Sequence, residues 1–181
     1  MTRREGPPMK TRNRIRSASA VAAATAMIFT LMPAGTASAH GYVSAPASRQ
    51  AQCAAGVVEC GDIQWEPQSV EGPKGLTDCA GGNSRFAELR DDSLGWNVTE
   101  VGTNLTFTWT LTAMHSTATW EYFVGGQRVA SFNDNGARPP STVRHNVDLS
   151  GYNGRQKVLA VWNVADTPMA FYSCVDVNIR S

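Results

Sequence analysis

Residues 104–112, with the sequence NLTFTWTLT, decide the fold class of this chain. Four apolar side chains, Leu105, Phe107, Trp109 and Leu111, alternate there with Asn and Thr. This period of two is typical of a strand that buries one face and exposes the other. The segment therefore predicts a half-buried β-strand.

Similar patterns continue toward the C-terminus. Trp120, Tyr122 and Val124 alternate before Gly125-Gly126, and residues 128–132 can return as the second arm of a hairpin. Further strands are predicted at residues 143–149, 158–164 and 171–179. Short strands separated by Gly, Asn, Asp and Pro predict an all-β fold, a β-sandwich of the immunoglobulin or fibronectin III kind.

Residues 50–101 do not follow this pattern. They are rich in Gly, Pro, Cys, Asp and Glu and show little strand periodicity, with a helical turn predicted at residues 84–89. A loop of this length inside a compact domain usually has a function. We expect a long irregular lobe, inserted between the first strands and mounted on the sandwich.

The N-terminal residues 1–39 differ in composition from the rest of the chain. They carry six of the sixteen Lys and Arg residues but a single acid, Glu5. A mostly apolar run at residues 18–32 precedes Ala37-Ser38-Ala39, a small-residue cleavage site of the A-x-A kind. The run is too short for a membrane anchor, which needs about 20 residues. We therefore expect a secretion signal, cleavage after Ala39, and an extracellular protein beginning at His40.

Composition and charge narrow the possible functions of residues 40–181. The whole chain of 181 residues is 42% hydrophobic and 17% charged, which fits one globular domain and excludes a disordered protein. Ten Lys and Arg against fourteen Asp and Glu give residues 40–181 a formal charge of −4. Nucleic acid and anionic membranes are poor partners for such a surface. We expect neither as a partner, and we expect a monomer.

All four cysteines, Cys53, Cys60, Cys79 and Cys174, lie in the part predicted to be exported. Two disulfides are therefore expected, and three pairings are possible. Cys53 with Cys60 and Cys79 with Cys174 is the favoured pairing, because the first bond closes a small local loop. A zinc site is the weaker interpretation, because the chain has no C-x-x-C spacing.

Cleavage before His40 would produce a metal chelate that an internal histidine cannot form. The free α-amino group and the imidazole of the same residue can bind one ion together, and an amine with a pKa near 7.7 to 8.0 loses its proton easily. A second imidazole would complete a plane of three nitrogens suited to Cu(II). His115, at the end of the first strand described above, is one candidate. His145 is in phase with Val143 and Val147, which favours a structural or surface role.

Four segments of the sequence together resemble bacterial lytic polysaccharide monooxygenases of auxiliary activity family 10. They are HGYVSAPASR at 40–49, QWEPQSVE at 64–71, LTAMHSTATW at 111–120 and AVWNVADTPMAFY at 160–172. The similarity covers essentially all of residues 40–181, in order, and is greatest to the small chitin-active members. The chain departs from the family pattern at Met169, where related proteins often carry Asn.

The resemblance implies a role for each matching residue. His40, through its amine and imidazole, and His115 would form a histidine brace around one copper ion. Phe171 would close one axial face of the copper, Ala113 would crowd the other, and Glu71 would help to position the oxygen species. The remaining matches lie on a flat polysaccharide-facing surface or border the copper: Trp65, Glu66, Thr112, Asp166 and Thr167.

The function implied is a secreted copper-dependent monooxygenase that cleaves crystalline chitin by oxidation at C1, with cellulose as a second substrate. It requires an external electron donor. The residues alone leave two other classes open, a non-catalytic chitin-binding protein and a secreted copper carrier. They also leave open ordinary roles for single residues: Phe171 in the core, Glu71 as a solvated charge, Trp65 as an anchor for its own loop, and Asp166 and Thr167 in a turn.

Overall fold

The computed structural model describes residues 1, 2, 6 and 39–180. The chain divides into two units, Met1–Pro33 and Ala34–Ser181, and the fold described below is that of the second unit. The predicted secretion signal, residues 1–39, lies outside the described residues except at positions 1, 2, 6 and 39. Among the helices that the structure describes, none is long and apolar enough to cross a bilayer.

Residues 39–180 consist mainly of β-strands. The strands are β1 (His40–Ala45), β2 (Glu71–Pro73), β3 (Thr99–Val101), β4 (Asn104–Ala113), β5 (Thr117–Val124), β6 (Gln127–Asn133), β7 (Thr142–Asp148), β8 (Gly154–Val164) and β9 (Met169–Ile179). The helices are α1 (Arg49–Ala54) and two short 3-10 helices, Asp62–Gln64 and Ser84–Arg90.

The strands form two packed sheets. The smaller sheet has the order β1-β4-β7, and the larger has the order β2-β9-β8-β5-β6, with β3 added to β9. The β3–β9 pair is parallel and the other pairs are antiparallel. The predicted all-β sandwich is therefore confirmed, as are the predicted strands and the hairpin of β5 and β6.

The core between the sheets follows the alternation in β4. Phe107 and Trp109 are fully buried, while the threonines that alternate with them in β4 lie toward the outside. Trp120 of β5 stacks on Trp162 of β8 with ring centroids 5.2 Å apart, and Trp109 lies 5.3 Å from Trp120. These three indoles make this core large for a small sandwich.

The irregular lobe has a core of its own, built on the outer face of the larger sheet. Leu159, Val161 and Tyr172 point from β8 and β9 into this second core. The lobe contributes Ile63, Val70, Phe86, Leu89 and Trp96, all buried. Strands β8 and β9 are therefore covered on both faces, which explains their nearly continuous burial.

The structure corrects the description of residues 50–101 as almost wholly irregular. Helix α1 was not predicted, although Ser48 is its N-cap and accepts a hydrogen bond from the Ala51 N–H. Strands β2 and β3 also lie within or at the end of this segment. The predicted helical turn is confirmed as the 3-10 helix Ser84–Arg90.

Both predicted disulfides are present. Cys53–Cys60 links the end of α1 to the following loop, and Cys79–Cys174 joins the lobe to β9 across 95 residues of sequence. Arg49 adds a polar link between the same parts. Its buried guanidinium donates to Asp176 at 2.7 Å and to Asp92 at 2.7 Å, and it lies over the Trp96 ring.

His145 has a structural position, as its phase in β7 predicted. Its side chain is buried between Phe132, whose ring stacks on the imidazole at 4.2 Å, and Trp120. Burial lowers the pKa of His145 to about 4, although the charge of Asp134 acts in the opposite direction. The imidazole is therefore neutral near pH 7.

Candidate metal centre

His40 begins β1 at one end of the smaller sheet. Its register partner on β4 is Ala113, the last residue of that strand. Gly41 lies so close to β4 that a Cβ there would be 2.4 Å from Leu111 Cδ2. The Gly41 N–H also donates to the Gln68 carbonyl of the lobe at 3.1 Å. The start of β1 is thus held from both sides.

A buried polar contact holds β1 against the larger sheet as well. The Val43 N–H donates to Ser173 Oγ at 3.1 Å, and Gln50 Nε2 donates to the same hydroxyl at 2.7 Å. Ser173 and Gln50 are both fully buried. Since β1 is an edge strand of the smaller sheet, this contact from β9 helps to fix the strand that carries His40.

His115 lies two residues beyond the end of β4, in the short connection to β5. Its Nε2 is 2.8 Å from Asp166 Oδ1, and its carbonyl accepts a hydrogen bond from Thr117 Oγ1 at 3.1 Å. The Ala165 N–H donates to the Ser116 carbonyl at 2.8 Å, which ties the β8–β9 turn to the same loop. The β1–β4 register therefore brings both histidines to one end of the sandwich.

Phe171 and Glu71 adjoin His40 from the larger sheet. They are register partners in the β2–β9 pair. The Phe171 ring centroid is 6.2 Å from that of His40 and 5.1 Å from that of Trp162, and Phe171 is fully buried. Phe171 is therefore both a core residue and a neighbour of the His40 ring.

The Glu71 carboxyl lies in an environment suited to a nearby positive charge. Desolvation by burial raises its pKa, and the charge of His40 acts in the opposite direction. Its Oε1 is buried and has no hydrogen-bond partner among residues 39–180. A buried carboxylate oxygen without a partner is costly unless a cation or donor compensates it. Glu71 is therefore not an ordinary solvated charge.

Trp65 and Glu66 lie on the surface of the lobe, after the 3-10 helix Asp62–Gln64. The Trp65 side chain is 79% exposed, so it does not anchor its own loop. Glu66 is fixed by Arg85, whose Nη2 donates to Oε1 at 2.6 Å and also contacts Asp62 at 3.2 Å. The lobe thus presents an open indole face beside a fixed carboxylate.

The three remaining residues of the sequence-based set are Thr112 in β4 and Asp166 and Thr167 in the turn between β8 and β9. Thr112 is exposed and precedes Ala113. Desolvation raises the pKa of Asp166, but the hydrogen bond with His115, the charge of His115 and further local hydrogen bonds together outweigh this and leave the pKa below its ordinary value. Thr167 Oγ1 accepts from the Met169 N–H at 3.2 Å, which shapes the turn that carries Asp166.

Three residues beside His115 were missed by the sequence analysis. A cavity of about 400 Å³ is lined by Ala113, Met114, His115, Ser116, Arg138 and Asp166. Met114 and Ser116 flank His115 in sequence and could have been found by that position alone. Arg138 belongs to a distant loop, and no sequence pattern connects it with His115.

The donor set fits copper when the amine of His40 is counted. No cluster of three His, Cys, Asp or Glu side chains suited to a metal ion occurs within residues 39–180. Two imidazoles lie at one end of the sheet, and a third nitrogen would come from the His40 amine after cleavage. Three nitrogens near an uncompensated carboxylate oxygen suit Cu(II) better than the oxygen-binding cations.

Comparisons with known proteins identify the family of this chain. A family model described as "Lytic polysaccharide mono-oxygenase, cellulose-degrading" matches residues 40–177. A lytic chitin monooxygenase of Streptomyces ambofaciens is 68% identical over 158 residues, which cover 87% of this chain and 92% of that protein.

Solved structures show the same fold. The neutron structure of a Jonesia denitrificans lytic polysaccharide monooxygenase is 49% identical, with a TM-score of 0.75 over 78% of this chain and 100% of that one. An AA10 lytic polysaccharide monooxygenase from Streptomyces lividans is 38% identical, with a TM-score of 0.71 over 77% of this chain and 99% of that one. The chain therefore belongs to auxiliary activity family 10 of the lytic polysaccharide monooxygenases, a family that implies a copper cofactor.

Proposed function

We propose that this monooxygenase is exported, cleaved between Ala39 and His40, and loaded with one copper ion, and that the loaded enzyme oxidises crystalline chitin at C1. The observation that carries the proposal is the pairing of His40 with Ala113, which brings the first residue of the sandwich beside the loop of His115. The family match also begins at His40, which supports cleavage there.

The copper ligands in this proposal are the amine and imidazole of His40 and the imidazole of His115. Bound copper supplies one-electron redox chemistry and activation of dioxygen or peroxide. The protein contributes the geometry. Gly41, held between β4 and the lobe, sets the position of the amine, and the Asp166 carboxylate restrains the His115 ring.

Glu71 and Phe171 bound the site on the side of the larger sheet. The carboxyl of Glu71 can accept or return a proton beside His40. Its raised pKa gives it a larger protonated fraction near neutral pH than an ordinary carboxyl group has. Phe171 excludes water from that side, since its ring is fully buried and supported by Trp162. In this proposal Phe171 and Ala113 would also adjoin the bound copper, because Phe171 lies beside the His40 ring and Ala113 pairs with His40.

The proposed substrate is an insoluble polysaccharide bound on the open face of the lobe. Trp65 offers a flat apolar surface for a sugar ring, and Glu66, fixed by Arg85, offers acceptor oxygens for sugar hydroxyl or amide groups. Thr112, Asp166 and Thr167 would border the copper site, as Asp166 lies beside His115. A crystalline polymer requires such an open face, because it cannot be drawn into a pocket.

Chitin is the favoured polymer because the relatives point to it. The Streptomyces ambofaciens protein is named as a lytic chitin monooxygenase, and so is a protein of Enterococcus faecalis that is 34% identical over 167 residues. Cellulose is the second candidate, because the description of the matching family includes cellulose degradation. An external donor supplies the electrons in either case.

Mass spectrometry of soluble products tests this function. The exported, copper-loaded protein is incubated with β-chitin or cellulose and a reductant, and C1-oxidised chitin oligosaccharides are expected. The His115→Ala variant is the matched control and should fold normally yet release none. Chitin binding without oxidised products would identify a non-catalytic binding protein instead, and copper binding without polysaccharide binding would identify a carrier.

A further inference from the structure

The cavity beside His115 is suited to a small ligand rather than to the polymer. Its volume of about 400 Å³ falls in the range of small-molecule sites. A rigid crystalline surface lies across such a concavity without filling it. The polar groups of the cavity therefore determine which small molecule it would bind.

The loop that carries Arg138 is fixed against the strand next to His115. The Ala137 carbonyl accepts from the Thr117 N–H at 2.9 Å, and the Gly136 N–H donates to the Thr117 carbonyl at 2.8 Å. Asn135 and Gly136 both have left-handed φ, at 51° and 82°, which allows the tight reversal before Arg138. The backbone that precedes Arg138 is therefore well defined.

Arg138 keeps its hydrogen-bonding capacity for a ligand. Within residues 39–180 it forms no ion pair, whereas Arg85, Arg90 and Arg128 each contact a carboxylate. The acid in the same cavity, Asp166, is already bonded to His115 Nε2 at 2.8 Å. A free guanidinium binds oxygen anions through two parallel N–H donors.

The charge at this cavity is less acidic than the charge of the domain as a whole. Residues 40–181 carry a formal charge of −4. Within the cavity lining, the positive charge of Arg138 offsets the negative charge of Asp166. The positive side of the cavity, at Arg138, is therefore the side that a small anion would approach.

The proposed reaction requires such an anion. Oxygenation of a sugar C–H consumes one dioxygen, two electrons and two protons and yields one hydroxyl group and one water. An enediolate such as ascorbate supplies both electrons and one proton as it becomes dehydroascorbate, and the second proton comes from solvent. These donors are monoanions at pH 7.

We propose that Arg138 forms a docking site for small enediolate or carboxylate-bearing electron donors in the cavity beside His115. The proposal rests on the proposed function, because a donor is needed only if the chain is a redox enzyme. It assigns Arg138 to the donor and leaves polysaccharide binding to the face that carries Trp65.

Two measurements test the docking site. In stopped-flow fluorescence, Arg138→Gln should slow reduction of the copper-loaded protein by ascorbate about threefold at low salt, and added salt should remove the difference. Reduction by hydroquinone, which is neutral at pH 7, should not change. Arg155→Gln removes the same charge at the opposite end of β8 and should leave both rates unaltered.

The second measurement uses the metal-free chain. Titration with ascorbate should shift the NMR signals of the Arg138 side chain and of the amides near residue 116, and Arg138→Gln should abolish these shifts. Absence of the shifts in the unaltered chain overturns the proposal. Equal slowing with both donors, or a loss of chitin binding without any change in ascorbate reduction, also overturns it.

The outcomes separate this proposal from the proposed function. If copper binds and hydroquinone reduces it normally while the Arg138→Gln variant behaves like wild type toward ascorbate, the function stands and the docking site fails. If copper does not bind, the proposed function fails, and the titration of the metal-free chain still decides whether Arg138 binds the anion.

Discussion

Tyr122 Oη shares a hydrogen bond of 2.8 Å with Nδ1 of His145 in the core between the two sheets. Trp109 Nε1 donates to the same hydroxyl at 3.1 Å, so the three side chains form a buried chain of hydrogen bonds. His145 is neutral in this arrangement near pH 7, because burial lowers its pKa to about 4. Burial also raises the pKa of Tyr122, which keeps its hydroxyl protonated at any moderate pH.

The buried imidazole makes stability depend on pH. The pKa of His145 is about 4 in the folded chain against 6.5 for an unperturbed histidine, so the unfolded state binds more protons between these values. Stability should therefore fall as the pH decreases from 6.5 toward 4, by about 2 kcal/mol at pH 5. Urea denaturation at pH 7 and pH 5 measures the loss. His145→Gln should be less stable at pH 7 but should lose this part of the pH dependence, and an unchanged dependence would contradict the assignment.

Blocking the amine of His40 should weaken copper binding by about a hundredfold or more, because the chelate is replaced by separate ligands. A form that retains Ala39 provides the block, since the amine is then part of a peptide bond. Isothermal titration calorimetry with Cu(II) measures the loss, and thermal unfolding without metal should match the cleaved form. Equal copper affinity in the two forms would exclude the amine as a ligand.

Glu71→Gln should retain copper yet lower turnover on chitin about tenfold or more, because proton transfer beside His40 is lost. The free energy of unfolding should not fall, since the neutral amide avoids the desolvation cost that raises the pKa of Glu71. Product release from β-chitin and calorimetric copper binding are compared with wild type. Glu59→Gln on the exposed surface of the lobe is the matched control. Wild-type turnover in the Glu71 variant would show that the carboxyl takes no part.

Gly72→Ala should destabilise the protein by about 3 kcal/mol or more. A Cβ at Gly72 would lie 1.9 Å from the carbonyl oxygen of Gly81, a backbone atom that cannot turn aside. Denaturation in urea measures the loss. The control is Gly102→Ala, where a Cβ meets nothing within 4 Å and the change should be within about 0.5 kcal/mol. Similar effects of the two substitutions would refute the close approach of β2 to the lobe.

The two disulfides should contribute unequally. Removing Cys79–Cys174, which spans 95 residues, should cost about 5 kcal/mol, and removing Cys53–Cys60, which spans 7, about 2 kcal/mol. Paired Cys→Ser variants compared in urea test this order. A larger loss of stability on removing Cys53–Cys60 would contradict the expected dependence on loop length.

The sandwich could be predicted because its strands carry their own pattern. In β4 every second residue is apolar, and the turn between β5 and β6 contains paired glycines. The short elements of the lobe lack such a signal. Helix α1 buries Arg49, Gln50 and Gln52, so its inward face is polar and shows no apolar period.

The residues of the candidate site also differ in whether the sequence could predict them. His40 and His115 could be proposed from the cleavage site and from the end of a strong strand. Arg138 could not, because its position depends on hydrogen bonds between the 133–140 loop and Thr117. Glu71 is also placed by tertiary pairing, since β2 has only three residues and is defined by its register with Phe171.

The double coverage of β8 and β9 limits how this enzyme can be redesigned. Replacing the lobe with one from a relative would leave Leu159, Val161 and Tyr172 without their packing partners unless the whole second core were transplanted with it. Changes of polymer preference are better sought by single substitutions at outward positions such as Trp65. The inner side of the lobe is part of the packing of the domain. Only its outer surface can therefore change in sequence without loss of this packing.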